Sequence, residues 1–175
     1  MRVIGGEFRS RRLKSLPGQA LRPTPDLLRQ ALFNVLAPSI EGATFLDAYA
    51  GSGAVGIEAL SRGAAHATFI EKSPAAVRVI NDNLFSLGIA SRATVVKGSA
   101  VAQLARHRAG IVFLDPPYRL EGEYRDALDQ LGENPPPLVL VQHDKRFRIA
   151  EQYGRLRRDR VLAHGDNVVS FLIES

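Results

Sequence analysis

With 175 residues, 45% of them hydrophobic, the chain is long enough for one domain with a substantial core. It has no cysteine, which excludes disulfides and thiolate metal sites, and His66, His107, His143 and His164 are scattered without ligand spacing, so no metal is expected. The formal net charge of +5 has one source: residues 1–22 carry Arg2, Arg9, Arg11, Arg12, Lys14 and Arg22 against Glu7 alone, and the remainder is balanced.

Such a patch points to a polyanionic partner, nucleic acid before membrane. No apolar run is long enough to span a bilayer, and "MRVIGGEFRSRR" lacks the apolar core of a secretory signal. Val3, Phe8 and Leu13 alternate with basic residues around Gly5-Gly6, the pattern of a short β-hairpin. Residues 1–22 are therefore expected to form a basic arm, separate from a domain over residues 23–175. Removing the arm should leave that domain intact.

"RPTPDLLRQALFNVLAP" reads as a helix, with Thr24 as cap, Pro25 and Asp26 in the first turn, and Pro38 as the stop. From residue 43 strands and helices alternate. "ATFLDAYA", "HATFIEK", "ATVVKG", "GIVFLD" and "PLVLVQH" read as strands. "SGAVGIEALSRG", "SPAAVRVINDNLFSLG", "AVAQLARHR" and "EYRDALDQLG" read as the helices between them. That order predicts an α/β fold whose parallel sheet is covered on both faces. "RLRRDRVLAHGDNVVSFLIE" adds an antiparallel hairpin at the end, for seven strands in all.

The first strand runs into "LDAYAGSGAVG". In open α/β sheets ligands lie at the carboxyl ends of the strands, and Gly51 and Gly53 allow a backbone to approach one closely. "GSGAVG" also fits the dinucleotide pattern, with Glu71 about twenty residues on, so an NAD enzyme and an S-adenosylmethionine (SAM) enzyme both remain open. Asp47 favours the second: a carboxylate before the loop repels a pyrophosphate and attracts a sulfonium or ammonium. Glu71, at the end of the next strand, suits a ribose diol.

"FLDPPY", residues 113–118, closes the fourth strand. An exocyclic amino group on a base is a poor nucleophile, because its lone pair is delocalised into the ring. A carboxylate at Asp115 and the Pro116 carbonyl can each accept one of its N–H bonds and turn the nitrogen toward a methyl donor. Proline has no N–H to compete. Tyr118 can stack on the base, which must be flipped or already unpaired to arrive there.

"LDAYAGSG" followed by "LDPPY" resembles the class I, Rossmann-like SAM-dependent methyltransferases that act on amino nitrogens. "RVIGGEFRSRRLKSLPG", "RPTPDLLRQALFNVL", "LDAYAGSGAVGIEALSRGA", "VFLDPPY" and the late "HGDNVVSF" resemble, in order, the RsmD family. These bacterial enzymes methylate N2 of a guanine in 16S ribosomal RNA. The resemblance covers almost the whole chain and implies SAM bound at Asp47, Ala50, Gly51, Ser52, Gly53, Glu71, Lys72, Ser99 and Asp115. It also implies catalysis by Asp115, Pro116 and Tyr118, and RNA contacts from Arg2, Arg9, Arg11, Arg12, Lys14 and Arg22. A cytoplasmic monomer acting on a small-subunit ribosomal particle, with no membrane or metal, would follow. Ser99 stands where relatives often carry aspartate, Gln142 where an acidic residue is expected, Gln30 where glutamate is common and His164 where tyrosine is usual. The alternatives are an adenine-N6 methyltransferase of DNA or RNA, a protein-glutamine methyltransferase, for which Asn would be more usual at position 115, and an RNA-binding module without catalysis.

Overall fold

The computed structural model describes residues 1–17 and 24–175. Arg22, and the boundary expected after it, lie outside the described residues. The elements are α1 (Asp26–Ile40), β1 (Thr44–Asp47), α2 (Ala54–Ser61), β2 (His66–Glu71), α3 (Pro74–Leu87), β3 (Ala93–Lys97), α4 (Ala100–Leu104), β4 (Ile111–Leu114), α5 (Glu121–Glu133), β5 (Leu138–Asp144), β6 (Gln152–Tyr153), β7 (Leu156–His164) and β8 (Asn167–Glu174).

One sheet runs β3-β2-β1-β4-β5-β8-β7-β6. β1 to β5 pair in parallel, and β8, β7 and β6 continue the sheet in antiparallel pairs. Period-two alternation sends Phe45, Phe69 and Phe113 into a core with Leu28, Leu32, Ile57 and Ile80, while Leu46, Ile70, Val112 and Leu114 pack with Leu104, Tyr124 and Leu128 on the other face. The strand order turns at β1, which lies between β2 and β4. The carboxyl ends of β1 and β4 therefore border the crevice such sheets use for ligands.

Several expectations change. Among the described residues the sheet has eight strands, not seven, because two-residue β6 pairs with β7; two residues are too few to show a period. Pro38 does not stop α1. Its ring removes a donor to the carbonyl of Asn34, which is exposed, and the last turn is held by buried Ile40. Thr24 does not cap α1: its Oγ1 hydrogen-bonds Gln142 Oε1 at 2.8 Å, so the unexpected glutamine has a buried partner. Helix α4 has five residues rather than nine. α3 is as expected, with Ser73 accepting from the Ala76 N–H, Pro74 next and Gly88 at φ 70°.

The N-terminal segment is also different. It folds back through one bridge, Arg2 to Arg12, and Ser10 takes φ 70° in the turn. Val3, Phe8 and Leu13 are buried in the core with Phe33 and Ile80. Its backbone is held by Glu58, whose carboxylate accepts the N–H groups of Ile4 and Gly5, both at 2.9 Å. Deleting residues 1–22 would strip the core, so a clean removal is not expected.

Candidate active site

A cavity of about 490 Å³ opens at the carboxyl ends of β1, β2, β3 and β4. It brings together Asp47, Ala50, Gly51, Ser52, Glu71, Lys72, Ser99 and Asp115, with apolar walls from Ile70, Phe113, Pro117 and Leu120. The N-terminal segment closes one side with Met1, Ser15 and Leu16.

The two glycines differ. Gly51 has φ 56°, and a Cβ there would meet nothing within 4 Å. Gly53 does not line the cavity: it has φ 85°, and its missing Cβ faces Ile80 at 3.3 Å, Phe69 and Ile57. Close approach to a ligand is therefore the property of Gly51, while Gly53 turns the chain into α2 above a packed core. Left-handed backbone costs an ordinary residue roughly 1–2 kcal/mol, and overpacking adds about 1–3. Gly53→Val is expected to lower unfolding free energy by several kcal/mol in urea melts. Gly51→Val should lose ligand affinity, read by calorimetry, with a smaller loss of stability.

The acidic strand ends brace this loop. Glu71 accepts the Gly51 N–H at 2.8 Å through Oε2 and the Ser73 N–H at 3.0 Å through Oε1. Each oxygen keeps a lone pair for another donor. Asp47 is buried and accepts the Gly56 N–H at 3.0 Å. Burial, opposed by the Gly56 bond and helped by the nearby Glu71 charge, pushes its carboxyl up to about 7. The folded ligand-free protein thus holds a proton that the unfolded chain releases near its ordinary value. Stability from this group is present at acid pH and is lost as pH rises from about 4 to about 7. Urea midpoints should fall across that window, and Asp47→Asn should flatten the fall.

Tyr49, after β1, reaches across to α5, its hydroxyl 2.7 Å from Glu123 Oε2. Burial first, then this carboxylate, raises its pKa. Both residues line the cavity. Asn83 of α3 accepts the Lys14 N–H at 2.7 Å and donates to the carbonyls of Lys14 and Ser52 at 3.1 Å, tying the N-terminal segment to the glycine loop. None of these three stood out in the sequence. For Asn83 the available signal was a polar residue on the buried face of an otherwise amphipathic helix.

At the end of β4, Asp115 is half-buried in the cavity wall, while Pro116, expected to act with it, is buried and does not line the cavity. Tyr118 is not in that wall. It lines a second hollow with Arg119, Glu121, Tyr124, Asp144, Arg146 and Phe147, and its hydroxyl lies 3.0 Å from Asn167 Oδ1.

The basic residues of the N-terminal segment are exposed but are not gathered round the cavity. The turn lies against the far ends of the helices: Glu7 N–H donates to the Ser61 carbonyl and Arg11 to the Ser86 carbonyl, at the last turns of α2 and α3. Lys14, nearer the cavity, pairs with Asp82 at 3.1 Å. The basic loop Lys145 to Arg148 follows β5, at the same sheet edge as Asp115.

The sheet order, the glycine turn at the end of β1 and the acidic ends of β1 and β2 define a Rossmann-like methyltransferase fold. The chain belongs to the RsmD family: the family model described as conserved hypothetical protein 95 matches residues 1–173. It is similar to ribosomal RNA small subunit methyltransferase D of Escherichia coli strain K12, 45% identical over 136 residues, covering 77% of this chain and 68% of that one. The protein of that name from Haemophilus influenzae is 36% identical over 154 residues, 83% and 79% of the two chains. Among solved structures, yhhF from Escherichia coli superposes with TM-score 0.85 at 37% identity, covering 100% of this chain and 98% of that one. An RNA methyltransferase from Salinibacter ruber, in complex with S-adenosyl-L-homocysteine, shares the fold at 19% identity with TM-score 0.68, over 88% and 95%.

Proposed function

We propose that the protein methylates the exocyclic N2 amino group of a guanine in small-subunit ribosomal RNA. One observation carries this reading: Asp115, at the end of β4, shares a cavity with the Gly51 turn and Glu71. The family and the names of its relatives direct it to ribosomal RNA.

The cofactor is SAM, which supplies an electrophilic methyl group when bound. The cavity suits it in volume, in the open space above Gly51 and in joining an apolar wall to carboxylates. Gly51 and Ser52 hold the amino-acid end by their backbone, Glu71 takes the ribose hydroxyls, and Ser99 and Lys72 lie toward the base. Asp47, engaged with Gly56, faces the cationic end of the cofactor, whose charge favours the ionised carboxylate. Asp115 and the Pro116 carbonyl accept the two hydrogens of the target amino group and aim its lone pair at the methyl carbon. Asp115 also stabilises the positive charge that develops on nitrogen, and accepts the proton or passes it to water. The base enters from the second hollow, where Tyr118 stacks on it.

The test is direct. Small-subunit ribosomal RNA, free and in particles, is incubated with the protein and SAM carrying a deuterated methyl group, then digested to nucleosides for mass spectrometry. Labelled N2-methylguanosine is expected. Labelled N6-methyladenosine, or no label, would replace this reading with one of the others.

The basic face of residues 1–17 contributes RNA phosphate contacts. Replacing Arg9, Arg11 and Arg12 together by alanine should lower the slope of log affinity against log salt by about 2–3 units. These side chains are exposed, so melting should hardly move. An unchanged slope would assign the phosphates to the loop from Lys145 to Arg148.

A further inference from the structure

The hydroxyl of Tyr124 lies 3.2 Å from the carbonyl oxygen of Pro116 and 3.1 Å from that of Gln142. A hydroxyl has one proton, so the two backbone acceptors, one after β4 and one in β5, share it. Tyr124 is 1% exposed, in the first turns of α5, and its ring packs on Phe147 with centroids 4.6 Å apart. Its neighbour Glu123 faces the cavity, so this turn of helix supports the site on two sides.

We propose that Tyr124 is a positioning residue for methyl transfer, holding the Pro116 carbonyl at the angle at which it accepts a hydrogen of the target amino group. The proposal rests on the amino-transfer reading above. The proline ring sets φ of Pro116, but the direction of its carbonyl depends on ψ. Pro117 confines that ψ to an extended band roughly 40° wide. Swinging a carbonyl of about 1.2 Å through that band moves its oxygen by about 0.7 Å. Misplacement of about 1 Å costs on the order of a hundredfold in rate. A hydrogen bond from a packed tyrosine removes this freedom. It uses one lone pair of the oxygen from the protein side and leaves the other for the substrate.

Tyr124→Phe keeps the ring and deletes the hydroxyl. The single-turnover transfer rate should fall about tenfold, with SAM affinity and RNA affinity each within twofold of the parent. Leu128→Ala is the control for packing: it loosens the buried face of α5 one turn on from Tyr124, outside both hollows, but keeps the hydroxyl, and should lower the melting temperature with the transfer rate largely kept. A substrate-free readout accompanies them. In protein labelled with ¹³C at proline carbonyls, the Pro116 resonance should shift in Tyr124→Phe. If the parent transfers no methyl to guanine, the functional reading fails, and the resonance still decides whether the hydroxyl holds Pro116. The proposal is overturned by an unmoved Pro116 resonance, by a transfer rate within twofold of the parent, or by equal rate losses in the two variants.

Discussion

Asp115→Ala is expected to slow methyl transfer at least a hundredfold while leaving SAM affinity within a few-fold. The carboxylate stands in the cavity wall at the end of β4, and in the proposed reaction it holds the target amino group. Removing a preorganised group aimed at developing charge costs about 10²–10³ in rate. Asp115→Asn keeps a carbonyl to accept one N–H bond but loses the negative charge. It should fall between the parent and the alanine variant. Single-turnover transfer of labelled methyl, with calorimetry of SAM binding, separates the two effects. Near-normal turnover in Asp115→Ala would sink the assigned chemistry. Loss of SAM binding equal to the loss of rate would make Asp115 a cofactor ligand instead.

The largest effect on stability is expected at Glu58. Its buried carboxylate pairs with Arg62 at 2.9 Å and lies 3.6 Å from Arg29 Nε, besides accepting the two N–H groups of Ile4 and Gly5. Arg29 is also buried: burial lowers its pKa, while Glu58 and Asp26 raise it. Arg29 donates to the Arg2 carbonyl at 2.7 Å. Glu58→Ala would leave the buried Arg29 guanidinium with only the exposed Asp26 beside it and orphan two backbone donors. Breaking such a pair from one side costs about 3–5 kcal/mol, against a total of about 5–15 for a folded domain. Urea melts should show that loss. Since the same contacts hold the segment that carries Met1, Ser15 and Leu16 to the cavity, cofactor affinity should weaken as well. Replacing Glu58 and Arg29 together by leucine should recover part of the stability, because the fully buried charge is then gone and only the partly exposed Arg62 loses its partner. A loss below about 1 kcal/mol in Glu58→Ala would show that the segment is held by its apolar side chains alone.

Much of the architecture was written locally. Apolar runs of strand length, separated by capped helices, are enough to demand a parallel sheet, and Ser73-Pro74 and Gly88 mark α3 because caps are short-range geometry. The glycine turn after "FLD" and the Asp-Pro-Pro-Tyr end of β4 could be placed at one edge from topology alone, since parallel strands share their carboxyl ends. What a side chain touches was not legible. Gly51 and Gly53 are two residues apart in a motif, yet one faces open space and the other a packed isoleucine. Tyr118 reads as part of the cavity but stands in the hollow beside it, bonded to Asn167 across 49 residues. The basic segment reads as a detachable arm, because charge is visible in sequence and its anchors are not. Glu58 lies 54 residues from Ile4, and nothing in an amphipathic helix indicates which distant backbone its one buried carboxylate will serve. Local pattern determines elements and their order, since dihedral preference and burial period act over a few residues. The pairing of Tyr124 with Pro116 and Gln142, and of Glu58 with the N-terminal backbone, was decided when the sheet closed, because only then did those buried polar groups have to find partners.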